Sequence, residues 1–258
     1  MSQSIFHFKK FSVSNSRSAQ KVGTDGVLLG AAALFPTITD GRHLRVLDIG
    51  TGTGVVALIL AQRAEAEGIT ADITAIDIDR DAASEAAENF AESQWAPSLD
   101  AVNISLQDFA DDIQSYDGHP ASGDAGAQRF DLIVSNPPYY DSSLPSADLQ
   151  RNTARHTDSL SYREVITFSG DFLSPEGCLN LILPKQEETG MIRFAASFGL
   201  YPVHILNIRT TPSKPVRRIV ASLGRTRGTV TRSEVVIQDC GGYTEDYKKL
   251  TGPYYIKD

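Results

Sequence analysis

The residues best suited to chemistry lie in one tetrapeptide, Asn136-Pro137-Pro138-Tyr139. Two consecutive prolines fix φ and remove two N–H donors, so the loop is rigid and presents carbonyl oxygens. The Asn136 side-chain oxygen and the Pro137 carbonyl can accept hydrogen bonds from the two hydrogens of one planar amino group, while Tyr139 stacks on the ring that bears it. Two acceptors on such a nitrogen favour its developing tetrahedral, positively charged form over the flat ground state. In-line positioning of the reacting atoms supplies much of the remaining catalysis. No basic side chain is needed, because the nitrogen grows more acidic as it is alkylated, and His156 reads as structural for that reason. Asn-Pro also marks ordinary turns, so the tetrapeptide takes its weight from its surroundings.

The second stretch is Asp48-Ile49-Gly50-Thr51-Gly52-Thr53-Gly54. Glycines between a strand and a helix let the backbone turn sharply and approach a ligand closely. Dinucleotide enzymes use G-x-G-x-x-G, ordered for a pyrophosphate at the helix N-terminus. Here the order is D-x-G-x-G-x-G, which resembles the S-adenosylmethionine turn of class I methyltransferases. Asp48 suits the ammonium of that cofactor and would repel a phosphate. Asp77, ending the next strand, can accept from both ribose hydroxyls, and Asp108 can accept from an adenine amino group.

These residues need a scaffold that holds them at one edge. Strand signals fall at 44–49, 72–77, 101–106, 130–135 and 177–183, and helix signals at 55–66, 80–92, 162–172 and 185–198, with Asp79 or Asp81 as a cap for the second helix. That alternation predicts a parallel α/β sheet with helices on both faces. Residues 201–208 and 217–223 read as two further strands around Thr210-Thr-Pro-Ser-Lys-Pro215, an antiparallel hairpin at the sheet edge. Residues 116–128 read as a small, polar, Gly-rich surface loop.

Composition excludes several classes. With 258 residues and 41% hydrophobic content the chain can bury a full core without staples. Two cysteines, Cys178 and Cys240, exclude a disulfide scaffold and a cysteine-rich zinc site. No apolar run is long enough to span a membrane, and the N-terminus has no signal-peptide core, so the expected location is the cytoplasm. The net charge is −8, yet its distribution is uneven. Residues 1–23 carry Lys9, Lys10, Arg17 and Lys21 and no acid; residues 201–233 carry Arg209, Lys214, Arg217, Arg218, Arg225, Arg227 and Arg232 and no acid. Basic ends on an acidic body can face phosphates, or can guard strand edges. Phe6, Phe8 and Phe11 interleave with Lys9 and Lys10, as single-stranded RNA binding wants and as a half-buried strand also allows. Arg151 and Arg155 follow the tetrapeptide, where they could meet substrate phosphates.

Asn-Pro-Pro-Tyr after the fourth strand resembles the motif of methyltransferases that act on adenine N6, guanine N2 or glutamine amides. The run Lys21-Val-Gly23-Thr-Asp25-Gly26-Val-Leu-Leu-Gly30, preceded by Phe6-His-Phe8-Lys-Lys-Phe11, narrows the choice. With Tyr139-Tyr140 it is similar to the bacterial tRNA(Val) adenine-37 N6-methyltransferase family. The likeness runs from Phe6 to Leu183, breaks at 116–128 and loosens over the C-terminal hairpin. An rRNA guanine-N2 or protein glutamine-N5 methyltransferase is the alternative; the latter carries a helical N-terminal domain for which about 40 residues leave little room.

The resemblance implies a Rossmann-like class I S-adenosylmethionine-dependent fold, with a mostly parallel seven-stranded sheet and an antiparallel C-terminal hairpin. It implies one methyltransferase domain over 1–258: a segment closing on substrate and cofactor at 1–40, a cofactor-binding core at 41–200, and a hairpin and tail at 201–258. Asp48, Gly50, Gly52, Gly54, Asp77 and Asp108 would bind the cofactor, Thr24 and Asp25 would close over its methionine end, and Asn136 to Tyr139 would hold the adenine. Lys9, Lys10, Arg151, Arg155, Arg217 and Arg218 are the candidate RNA contacts. The expected partner is the anticodon loop of a tRNA, the expected state a monomer without metal.

Overall fold

Both faces of the central strands are apolar, and this dictates three layers. In Leu44–Ile49, Val46 packs on one face and Leu47 on the other; Leu132 and Ile133 of Phe130–Ser135, and Ile182 and Leu181 of Leu173–Pro184, divide in the same way. Strands buried on both sides need helices on both sides.

The computed structural model describes residues 4–18, 21–37, 41–117, 129–138 and 160–256. Its strands are Ile5–His7 (β1), Ser12–Ser14 (β2), Leu44–Ile49 (β3), Ala71–Asp77 (β4), Leu99–Asn103 (β5), Phe130–Ser135 (β6), Leu173–Pro184 (β7), Tyr201–Arg209 (β8), Arg218–Gly224 (β9), Thr231–Val236 (β10), Gln238–Asp239 (β11) and Gly242–Tyr243 (β12). The α-helices described are Thr24–Ala32 (α1), Val55–Glu67 (α2), Arg80–Ala91 (α3), Leu106–Asp117 (α4), Tyr162–Phe172 (α5), Glu188–Ser197 (α6) and Glu245–Thr251 (α7). Helices α1, α2, α3 and α7 pack on one face of the sheet, and α4, α5 and α6 on the other. No helix among the described residues is long and apolar enough to cross a membrane.

The main sheet runs β10-β8-β9-β7-β6-β3-β4-β5. Every pairing is parallel except those of β9, which is antiparallel to β7 and β8. The expected C-terminal hairpin is therefore present, but among the described residues the sheet has eight strands rather than seven. The eighth, β10, adds parallel to β8 at the edge. Its sequence, TRSEVV, is mostly exposed, so it carries no apolar run or alternation, and its charges suit an edge that must not pair further.

A second difference concerns the third strand of the core. It occupies Leu99–Asn103 and is followed by α4, a helix absent from the sequence-based expectation. Leu106 and Ile113 are buried, with Phe109 and Ala110 packed beside them. That is helical spacing, so the signal is present in the sequence; the apolar Ile104 and Leu106 mask it by extending the strand pattern. Helix α3 starts where expected, and Asp79 caps it, its carboxylate accepting from the backbone N–H of Asp81 and Ala82.

Strand order reverses at β3, which has β4 on one side and β6 on the other. Open α/β sheets bind ligands at such a switch point, beyond the carboxyl ends of the strands. Ile49 pairs with Ser135 as the last residues of β3 and β6, and the Ser135 hydroxyl donates to the Ile49 carbonyl at 2.8 Å. Gly50 and Asn136 are the next residues of these two neighbouring strands.

Candidate active site

The turn after β3 is built by backbone geometry that only glycine adopts easily. Gly50, Gly52 and Gly54 have φ of 72, 57 and 81°, the left-handed region. Gly54 is further constrained by packing, since a Cβ there would lie 2.5 Å from Phe90 on α3. The Gly50 and Thr51 N–H groups donate back to the Ile76 carbonyl, and the Gly52 N–H donates to the Asp77 carboxylate at 2.9 Å. The turn thus hangs between β3, β4 and α3.

A cleft of about 410 Å³ opens over this turn. One wall is the turn itself with the first residues of α2; the other is Lys21 with Gly23 to Gly26, the start of α1; Asn136 closes one end. Two helix N-termini therefore face the same space; Asp48 already accepts from the Ala57 N–H of α2, and the opening N–H groups of α1 favour a carboxylate there. Asp25 and Asp48 line the cleft as well, and Lys21 is the cation among its lining residues. This donor set suits a ligand end carrying both an ammonium and a carboxylate. It suits a pyrophosphate poorly, because two carboxylates would oppose it.

Asp48 is 1% exposed and accepts from the Thr51 hydroxyl at 2.7 Å. Burial pushes its pKa up to about 7, and the nearby Asp77 charge acts in the same direction, against the hydrogen bonds from Thr51 and the Ala57 backbone. Burial also raises Asp77, whose two oxygens accept from the N–H groups of Gly52 and Asp79. Each of those oxygens keeps a second acceptor site.

The structure brings Thr24, Asp25, Asp48, Gly50, Gly52 and Asn136 to one cleft; Gly54 and Asp77 are not among its lining residues, Gly54 packing on Phe90 and Asp77 adjoining the lining through its bond to the Gly52 N–H. Pro137 is buried and Pro138 half-buried beside Asn136. Asp108 is not among the lining residues. It is exposed in the first turn of α4, where its carboxylate accepts from the Ser105 hydroxyl and its N–H donates to the same oxygen. Tyr139, Tyr140, Arg151, Arg155 and His156 lie outside the described residues, as does most of the 116–128 loop.

The basic ends are less available than their sequence suggests. Phe8 and Phe11 are buried core residues, stacked at 4.5 Å, with Phe8 also on Tyr255 and Phe11 against Trp95. Phe8 and Phe11, just outside β1 and β2, are thus core rather than a base-stacking platform, whereas Phe6 of β1 is exposed. Lys9 donates to the Gly252 carbonyl. Lys10 pairs with Glu65 at 2.9 Å, at the C-terminal end of α2 and about 15 Å along the helix from the glycine turn. Among the C-terminal bases, Arg209 pairs with Glu234 and Arg232 with Glu188. Arg225 donates to the carbonyls of Gly170 and Leu173 at the end of α5, and Arg227 lies over the Tyr201 ring. Arg217 and Arg218 do stand at the catalytic edge, since Arg218 pairs with Pro184 at the end of β7. Arg218 also bonds Asp25 at 3.1 Å, which links β9 to the cleft wall.

Sequence reasoning missed Lys21 as a lining residue, although it opens the Lys-Val-Gly-Thr-Asp-Gly run; nothing local says that it borders the cleft. It also missed Glu85 and Asn89 of α3, whose partners are distant in sequence.

Comparison with known proteins agrees with this geometry. A family model described as a methyltransferase domain matches residues 40–192. A predicted O-methyltransferase from Agrobacterium tumefaciens has a similar structure, with TM-score 0.60 at 18% identity, covering 89% of this chain and 96% of that one. A type I restriction-modification methyltransferase subunit from Streptococcus thermophilus gives TM-score 0.57 at 14% identity, covering 91% of this chain and 52% of that one. At these identities the likeness shows the shared fold. Full-length relatives say more. Proteins of Bacteroides fragilis and Aeromonas salmonicida named tRNA1(Val) (adenine(37)-N6)-methyltransferase are 39% and 38% identical to this chain. The first alignment covers 100% of both chains, the second 98% of this chain and 97% of the relative. A Flavobacterium johnsoniae protein of the same name is 37% identical over 98% of this chain and 100% of its own. With its fold and its whole length matched in this way, the chain belongs to the tRNA1(Val) (adenine(37)-N6)-methyltransferase family, within the class I S-adenosylmethionine-dependent methyltransferases.

Proposed function

We propose that this protein methylates the exocyclic N6 amine of adenine 37, beside the anticodon of tRNA(Val), with S-adenosylmethionine as donor. The observation that supports the reading is the junction of Asn136 with the glycine turn, where adjacent strands β3 and β6 end beside one another at a cleft whose charges suit a zwitterion. When bound, S-adenosylmethionine supplies an activated methyl group on its sulfonium sulfur. Asp25 and Asp48 take its ammonium, Lys21 and the N–H groups opening α1 take its carboxylate, and Asp77 takes the ribose hydroxyls. Asn136 and the Pro137 carbonyl accept from the adenine amine and turn its lone pair toward the cleft. Tyr139 stacks on the base, and Asp108 accepts from the cofactor's adenine amine with acceptor sites that its bond to Ser105 leaves open.

Segment 1–40 forms the closing wall, 41–200 the cofactor core and 201–258 the RNA-facing edge, in a monomer acting in the cytoplasm. Arg217 is exposed at that edge. Anticodon loops already expose their bases, so extruding one costs at most a few kcal/mol.

The test is incubation with S-adenosylmethionine and tRNA lacking N6-methyladenine, followed by nucleoside mass spectrometry and mapping of the position. N6-methyladenosine at position 37 is the expected product. Guanine N2 methylation, or transfer to a glutamine amide with none to tRNA, would replace the substrate assignment while leaving the cleft chemistry in place.

A further inference from the structure

Both walls of the cleft rest on one face of α3. Glu85, Ala86, Asn89 and Phe90 share that face, at helical spacing, and Glu85 and Asn89 are 0 and 1% exposed. The Glu85 carboxylate accepts from the N–H groups of Ser16, Arg17 and Ser18 at 2.7, 2.9 and 2.9 Å, and from the Ser16 hydroxyl at 3.1 Å. Asn89 accepts from the Ser14 N–H at 2.7 Å and donates to the Ser14 carbonyl at 3.1 Å. The same amide also donates to the Thr53 carbonyl at 2.9 Å, within the glycine turn. Ala86 and Phe90 fill the space that a side chain at Gly54 would need. The segment so held leads directly into the opposite wall: Asn15 accepts from the Val22 N–H, and the Lys21 ammonium donates to the Ser16 carbonyl.

A buried carboxylate with four donors on it is a costly group to place in a core. An apolar residue would pack there more simply, whereas these two polar side chains fix the end of β2 and the turn that follows it, Ser14 to Ser18. We infer that Glu85 and Asn89 are positioning residues for the methyl donor: they set the distance between the glycine turn and the Lys21–Gly26 wall, and so tune cofactor affinity without touching it. The inference rests on the reading of the cleft as the cofactor site.

The experiment compares Glu85→Gln and Asn89→Ala with Asn180→Ala by calorimetric S-adenosylmethionine binding, steady-state kinetics on tRNA and melting temperature. Asn180 is a matched control, because it is buried and holds Leu34 by the same paired backbone bonds, at the other end of α1. Unsatisfied backbone groups in the held loop should raise the cofactor Kd and KM by about tenfold in Glu85→Gln and Asn89→Ala, with kcat nearly unchanged. Asn180→Ala should lower the melting temperature comparably and leave KM alone. Glu85→Asp keeps the charge but shortens the reach, and serves if the other variants fold poorly; its KM should rise as well. In the wild-type protein, S-adenosylmethionine should slow amide exchange at Ser14, Ser16, Arg17 and Ser18 through the same coupling. Variants that melt earlier yet bind the cofactor as tightly as wild type, or wild-type exchange at those amides unmoved by the cofactor, would overturn the inference. A wild-type protein that takes up no S-adenosylmethionine would instead remove the cofactor reading on which it rests.

Discussion

Cofactor affinity should depend on pH through Asp48. This carboxyl is buried beneath the glycine turn and titrates at about 7. An ammonium partner rewards only the ionised form. At pH 6 about one tenth of the protein carries the charge and at pH 8 about nine tenths, but the α-amino group of the ligand, with a pKa of about 7.7–8.0, has lost about half its protons by pH 8. Kd should therefore fall about fivefold from pH 6 to a minimum near about pH 7.4 and rise again above it. Calorimetry in buffers of different ionisation enthalpy should show about one proton released per ligand bound near pH 6. S-adenosylhomocysteine keeps the ammonium and lacks the sulfonium charge, so it should show the same slope if Asp48 reads the ammonium. Asp48→Asn should bind weakly and without this slope. The same shift sets a stability sign. The folded pKa lies above the unfolded value, so the native state holds the extra proton between about pH 4 and 7. Stability then falls as pH rises through that window, by up to about 4 kcal/mol at about 1.4 kcal/mol per pKa unit. Asp48→Asn should therefore melt higher than wild type at pH 8 and converge with it below about pH 4. A wild-type Kd that is flat from pH 6 to 8, or wild-type affinity in Asp48→Asn, would refute the reasoning.

Asn136→Ala should bind S-adenosylmethionine normally yet lose about 10²–10³ in kcat, the usual cost of one preorganised hydrogen-bonding group; equal loss of cofactor affinity would place Asn136 in the cofactor site instead. Arg217→Ala should weaken tRNA binding and flatten its log–log salt slope by ~0.7–0.9 for each phosphate left unneutralised, whereas Arg218→Ala should chiefly raise the cofactor Kd by releasing Asp25. The coupling in an Asp25–Arg218 double-mutant cycle should stay below about 1 kcal/mol, because both side chains are about one third exposed. Gly54→Ala should destabilise the fold and abolish cofactor binding, and Phe90→Ala should restore little of either, since the positive φ at position 54 remains; thermal melts with and without the cofactor would show this.

The sequence alone determined the parts that local chemistry controls. Glycines 50, 52 and 54 announce a left-handed turn, Asn136 and two prolines announce a rigid carbonyl-bearing loop, and doubly apolar strands announce helices on both faces. Each of these follows from a residue's own conformational limits or from its near neighbours. Tertiary structure decided what depends on partners far along the chain. β6 lies beside β3, which puts Asn136 next to Gly50. Phe8 and Phe11 became core because Tyr255 and Trp95 fold over them. Arg209, Arg225 and Arg232 found acids and carbonyls, so a basic stretch in sequence is only partly a basic surface. Glu85 and Asn89 look like ordinary residues of an Ala- and Glu-rich helix until Ser14 to Ser18 arrive to be held. A hydrogen bond between residues about seventy positions apart leaves no trace in spacing or periodicity, because its geometry exists only once the intervening strands have paired.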